Sequence, residues 1–210
     1  MADLALQDGY GTARLETRLA NLFTAQDLYK KAKGAEFRQS AVDETYRLLK
    51  YQTGLEDKFG KTFVDKSLHQ TLGLLLADGE TKLADKLKSE FKVSDRRYLW
   101  IKVRAYGEGR QWQELAALAK SKKSAIGFGP FVDVCLAAGE KPQAVKYLPL
   151  LPQEERLKYL VKLQLYKEAA ELAYALRNMD ALTNIEVKCV NNFGMLEQVA
   201  ALKQKLQSSK

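Results

Sequence analysis

From residue 15 to residue 206 the chain sets apolar side chains three and four positions apart in one stretch after another, and separates the stretches with single glycines, prolines or short polar turns. That spacing gathers apolar side chains on one side of a helix. Such short punctuation makes consecutive helices fold back on one another. Nowhere does the chain show the two-residue alternation of a half-buried strand. The pattern predicts an all-α fold, an α-solenoid of antiparallel helical hairpins preceded by a longer two-helix hairpin, with a globular helical bundle as the alternative.

Residues 1–11 read as a flexible N-terminal segment and residues 12–60 as the long hairpin. Its first helix, 12–33, carries Leu15, Leu19, Leu22, Gln26 and Tyr29 on one face, and its second, 36–59, carries Phe37, Ala41, Leu48, Leu55 and Phe59. Gly34 and Gly60 end them. The solenoid is expected over 61–207, all as one continuous domain within a longer protein. There the helices shorten: one has a face from Val64 to Leu76, the next runs from Leu83 to Phe91, and a third starts at the Ser94-Asp95 cap signal and ends near Gly107. Further helices are predicted at 112–120, 130–138, 142–147, 152–163, 166–176, 180–193 and 195–206. Pro130, Pro142 and Pro152 fall where a first turn tolerates a missing N–H. QWQELAALAK from Gln111, KPQAVKYLPL from Lys141 and LYKEAAELAY from Leu165 align as a weak repeat, with Leu118, Leu148 and Leu172 in equivalent places.

Composition limits the chemistry. Nearly half of the 210 residues are apolar, enough for a core, and a net charge of +8 admits nucleic acid, an acidic membrane surface or an acidic protein as partner. The lysines are spread over nearly every helix rather than gathered in a stripe, which leaves a helical-repeat RNA-binding module as an alternative only. Cys135 and Cys189 fall on helical faces that read as buried, with no paired spacing for a metal or redox centre. A reduced, cytosolic setting is the simplest expectation, and no stretch has the ~18 apolar residues of a membrane span.

His69 is the single histidine, so no site built on two histidines is available. Gly107-Glu108-Gly109 is followed by Arg110 and lacks an upstream strand, so it reads as a helix end rather than a dinucleotide loop. Gly127-Phe128-Gly129-Pro130 lacks the ending of a phosphate-cradling loop, and the neighbouring run from Ser121 to Ser124 reads as a solvated turn. The carboxylate pairs Glu56-Asp57 and Glu154-Glu155 read as surface charge. No enzyme activity, metal or cofactor is expected.

The stretch from Ser94 to Cys135 is the least explained by periodicity. Tyr98, Leu99, Trp100 and Ile101 point around more than one side of a helix, which must be covered on several sides or offer apolar surface to a partner. Arg96 and Arg97 precede them, suited to bonding carboxylates across an interface. Arg97 shares a face with Trp100, three residues on, and Arg96 lies about a hundred degrees from Arg97, so at most one arginine is expected to follow the indole closely. Helix geometry alone leaves intramolecular packing and an interface equally open.

RLLKYQTGLEDKFG (47–60), FVDKSLHQTL (63–72), VSDRRYLWIK (93–102) and SKKSAIGFGPFVDVC (121–135) together resemble the family of C-terminal domains of the Vps-sixteen subunits of class C vacuolar protein sorting complexes. The resemblance covers about residues 36–190. It implies an α-solenoid that binds a Sec/Munc-family SNARE chaperone, the Vps-thirty-three subunit, alongside the other subunits of the HOPS and CORVET tethers. It further implies a cytoplasmic location, peripheral on endosomes and on the vacuole or lysosome, with membrane contact only indirect and no nucleic acid. A paralogous sorting subunit that pairs with the other chaperone isoform is the alternative within the class. Carried over by motif, Arg97 is the leading contact and Ala41 the second; Arg96, Glu44, Thr45, Leu48 and Trp100 complete the expected set, with Trp100 assigned to packing first.

Overall fold

The computed structural model describes residues 1–11, 14–120 and 124–208. Among these residues there are thirteen α-helices and no strand, so the all-α expectation holds. The expected turn at Ser121, Lys122 and Lys123 lies outside the described residues, as do Thr12 and Ala13 at the expected start of the second helix. The chain divides into two compact units, Met1–Ser94 and Asp95–Lys210.

The first unit holds α1 (Ala2–Gly11), α2 (Leu15–Lys31), α3 (Glu36–Phe59), α4 (Leu68–Ala77) and α5 (Thr81–Glu90). Leu22, Ala25 and Tyr29 of α2 close on Val42 and Leu49 of α3, burial that stabilises by ~1.5–3 kcal/mol for each large side chain. The expected flexible start is instead α1, because Ala2, Ala5 and Leu6 recur at helical spacing and pack against that same cluster. Its docking is also polar: the Tyr29 hydroxyl donates to the Asp3 carboxylate, which accepts a second bond from Arg38 at 3.1 Å. Both donors hold the Asp3 carboxyl below its ordinary range, the tyrosine bond being the larger cause.

The long helix α3 corrects the expected face. Its sheltered side runs through Val42, Leu49, Gln52 and Leu55, whereas Phe37, expected in the hairpin seam, is 87% exposed. α3 carries apolar residues on two sides, and the three-and-four spacing picked out the side only one of whose residues, Leu55, is buried. Nor does the structure break after Gly60. Glu56 Oε1 accepts from the backbone N–H of Phe63 at 2.6 Å and of Val64 at 2.7 Å, so this residue holds a loop and is not mere surface charge. Buried Gln52 donates to the Lys66 carbonyl at 2.6 Å and to Thr71 Oγ1 at 2.8 Å. These bonds satisfy polar groups whose burial is otherwise costly, and a Ser67–Gln70 capping box then starts α4.

The second unit holds α6 (Asp95–Glu108), α7 (Trp112–Ala119), α8 (Gly129–Ala137), α9 (Lys141–Val145), a 3-10 turn at Leu148–Leu150, α10 (Gln153–Lys162), α11 (Tyr166–Ala175), α12 (Met179–Lys188) and α13 (Phe193–Ser208). Contacts within it run α6 to α7 and α8, α8 to α9, α10 to α11, α11 to α12 and α13, and α12 to α13.

One turn geometry recurs through the chain. Gly79, Lys92, Arg110, Gly139, Gln164 and Arg177 all take left-handed backbone, with φ between 50° and 78°. In each case the next residue's N–H reaches back five positions: Glu80 to Leu75, Val93 to Lys88, Gln111 to Tyr106, Glu140 to Cys135, Leu165 to Leu160 and Asn178 to Ala173, at 2.8–2.9 Å. This is the Schellman ending, which satisfies carbonyls that a helix terminus leaves unpaired. Four residues after the donor, Ala84, Leu115, Ala144, Ala169 and Leu182 have no exposure at all. At the Lys92 turn the following helix starts one residue later, and Tyr98 takes the buried place while Arg97 stands exposed.

Counted from these turns, the sequence repeat shifts by one residue at its middle member. Leu118 and Leu172 lie seven residues after their donors, but the matching residue after Glu140 is Tyr147, and Leu148 begins the 3-10 turn. Glycine permits a close approach in this unit: a Cβ on Gly107 would lie 2.5 Å from Val134 Cβ, so α6 and α8 meet there with no room for a methyl group. The Gly107–Gly109 motif therefore serves packing and a helix end.

Candidate protein-binding surfaces

The expected contact residues fall into two sets, one on each unit. Ala41, Glu44, Thr45 and Leu48 belong to α3; Arg96, Arg97 and Trp100 belong to α6.

On α3 the offsets of three, four and seven residues place the four side chains along one stripe. Ala41 and Glu44 are exposed, and Thr45 and Leu48 are half-buried. Thr45 Oγ1 donates to the Ala41 carbonyl at 2.8 Å, which turns that hydroxyl back onto the helix's own backbone. Phe37, one turn before Ala41, extends the stripe toward the start of the helix. Sequence reasoning placed Phe37 in the hairpin core, so this exposed aromatic was missed as surface. The result is a low-relief strip, small at Ala41, apolar at Phe37 and Leu48, with one carboxylate at Glu44. A partner helix or loop can approach closely at the alanine, where a charged replacement would meet a desolvated surface.

On α6 the run Tyr98-Leu99-Trp100-Ile101 divides by direction. Tyr98 and Ile101 are buried with Val103, Ala105 and Tyr106, and Leu99 is half-buried. Trp100 is 47% exposed, which corrects its assignment to packing: the indole stands on the outer side, and the buried face is complete without it. Arg96 and Arg97 are both exposed. Arg96 lies four residues before Trp100 and Arg97 three, about 40° and 60° around an ideal helix, so Arg96 is at least as close to the indole's direction as Arg97. Two exposed arginines within about one turn of a half-exposed indole put carboxylate-binding chemistry and an apolar plate on the same helix. One turn on, Arg104 is held by Glu108 at 2.7 Å.

Several other ionisable groups serve the fold. Burial pushes the Cys135 thiol up to about 11, and Cys189 is raised for the same reason, so neither is a thiolate near neutral pH. The Tyr159 hydroxyl donates to Asp133 at 2.8 Å and lies 3.2 Å from the Gly129 carbonyl oxygen, joining α10 to α8. Burial first, and then Asp133, raises that phenol's pKa. His69 is half-buried on α4. Among the described residues no three His, Cys, Asp or Glu side chains converge, and no helix is long and apolar enough to cross a membrane.

Comparison with known proteins finds relatives across most of the chain. The family model described as "Vps16, C-terminal region" matches residues 1–205. The vacuolar protein sorting-associated protein 16 homolog of Drosophila melanogaster is 34% identical over 201 residues, 95% of this chain and 24% of that protein. The homolog of Dictyostelium discoideum is 31% identical over 210 residues, 95% of this chain and 25% of its own. The protein VACUOLELESS1 of Arabidopsis thaliana is 36% identical over 158 residues, covering 74% of this chain and 18% of that protein. The chain thus spans at most about a quarter of the length of these relatives.

Proposed function

The chain belongs to the family of Vps16 C-terminal regions, and from that membership we propose that it is a non-enzymatic scaffold of a vacuolar protein sorting complex that recruits a Sec/Munc-family SNARE chaperone, the Vps-thirty-three subunit. The relatives' names speak of vacuolar protein sorting; the chaperone, the tethering role and the peripheral location on endosomes and the vacuole or lysosome are parts of this proposal. One observation supports it most: Ala41 and Glu44 on α3 and Arg96, Arg97 and Trp100 on α6 are exposed, and nothing in the packing of either helix uses Ala41, Glu44, Arg96 or Trp100 as core.

Arginine and tryptophan are over-represented among residues that carry interface energy, and α6 carries exposed examples of both within about one turn. Arg97 makes a charge-assisted bond to a carboxylate on the chaperone, and Ala41 lets the chaperone backbone approach α3. Recruitment promotes fusion through effective concentration: a chaperone held in the tether meets its SNARE substrates in an intramolecular encounter.

The test is calorimetry against a purified Vps-thirty-three-type chaperone. Arg97→Glu and Ala41→Asp should each weaken binding by at least about tenfold, as burial of an unpaired charge requires, with helical content and Tm unchanged. Unaltered affinity in both variants removes the assignment.

A further inference from the structure

Between α3 and α5, within the first unit, runs a groove of about 420 Å³. Tyr51, Gly54 and Leu55 of α3 and Leu83 of α5 form its floor, and Arg47, Lys50, Lys58 and Lys86 line it as four cations. Positions 47, 50, 54 and 58 follow one line along α3, more than a quarter-turn around the helix from the Ala41 stripe. It is a different surface from the one offered above to the chaperone.

Gly54 is the informative residue. It sits in the interior of a 24-residue helix, where glycine is unfavourable relative to alanine. Its φ is not left-handed, and a Cβ built on it meets nothing within 4 Å. Intramolecular packing therefore gives no reason for a missing side chain here. Its absence keeps the floor open beside Leu55, which is buried, and Leu83, which is half-buried.

The rim adds charge. Arg47 and Lys58 lie over the rings of Phe91 and Phe59, at 5.3 and 4.8 Å, which orients them without neutralising them. Glu90 is the one carboxylate among the lining residues. It stands at the Arg47 end, since Arg47 covers Phe91 next to it and its charge reaches Tyr51. The Lys58 end of the groove is therefore the end farthest from that carboxylate. From Arg47 to Lys58 the groove is about 16 Å long, the span of about five extended residues.

We propose that this groove binds an acidic linear segment of a partner protein, seating one large apolar side chain over Gly54 between Leu55 and Leu83, with the segment's carboxylates on Lys50, Lys58 and Lys86. A phosphate or lipid headgroup matches the rim but not the floor. Mid-helix backbone N–H groups are already paired and supply no phosphate donors, and the apolar floor stays wet under a polar headgroup.

The experiment selects a random linear-peptide library displayed on phage against the intact chain, then measures the enriched peptides by fluorescence anisotropy. Enriched peptides should be rich in Asp and Glu around one or two large apolar residues. Gly54→Gln, which fills the floor without altering charge, and the double variant Lys50→Glu with Lys58→Glu should each weaken them by about tenfold or more. Gly54→Gln should do so with Tm equal to or above that of the parent, which separates blocked binding from damaged folding. Ala41→Asp and Arg97→Glu should leave the peptides bound, so this site and the chaperone surface fail or stand separately. Neutral or basic enriched peptides, or affinity unmoved by Gly54→Gln, overturn the proposal. So does binding to phosphatidylcholine vesicles doped with a phosphatidylinositol phosphate that the lysine reversals abolish while no acidic peptide binds.

Discussion

The two units solve the same problem, packing helices joined by short turns, in different ways. In the first unit, length does much of the work: α3 has 24 residues, enough to bury one side against α2, fasten a loop with Gln52 and Glu56, and still leave two other surfaces outward. In the second unit the helices from α7 to α12 have at most ten residues. Each must spend most of its surface on its neighbours, and close approach is obtained by removing side-chain bulk at Gly107, Ala144 and Ala169. The difference teaches where each unit tolerates change. Long helices have faces to spare, and short hairpins concentrate their stability in small residues and turn geometry.

The largest test of that contrast is Gly107→Ala. Its new Cβ would meet Val134 Cβ at 2.5 Å, so α6 and α8 must move apart, at a cost of about 1–3 kcal/mol. Chemical denaturation should show the loss, and an unchanged midpoint would mean that the second unit is not held by close packing. A smaller effect of opposite sign is expected at the turns. Gln164 carries a left-handed φ of 64° without being glycine, and Gln164→Gly should raise stability by about 1 kcal/mol by relieving that conformation; a lower Tm would show that the side chain outweighs the strain.

The smallest effect belongs to the first unit. Arg18 donates to Asp65 at 2.6 Å, and that bond is the main cause holding the carboxyl below its ordinary value of 3.8. Because the folded pKa is depressed, the stabilisation is complete at pH well above 3.8 and is lost as pH falls through the lower folded value. Asp65 is mostly exposed, so the pair contributes only about 0.2–1 kcal/mol. Asp65→Asn should lower Tm slightly near neutral pH and not at all once the carboxyl is protonated; an equal drop at both pH values would assign the effect to packing.

Helix existence was legible throughout the described residues beyond α1, because an apolar period of three and four is a local property of the chain. The second long helix was placed at its observed bounds, Glu36–Phe59, since a preceding glycine and a following glycine delimit it. The missed helix, α1, has helical spacing only at Ala2, Ala5 and Leu6, and its placement depends on an apolar contact with α2 and α3 and on the Asp3–Tyr29 bond. Neither is visible in a ten-residue window. The repeat was found and then displaced at Leu148, because alignment of Ala/Leu-rich helices compares letters, whereas the turn that sets the register lies at Gly139 and its bond from Glu140 to Cys135.

The sequence by itself determined the all-helical class and the family, since these rest on local spacing and on motifs read residue by residue. Only the tertiary structure decided which apolar stripe is core. It took Phe37 and Trp100 out of the interior and left Gly54 open under a basic rim. The physical reason is that periodicity reports a side chain's direction about its own helix axis, and burial depends on what another helix places there.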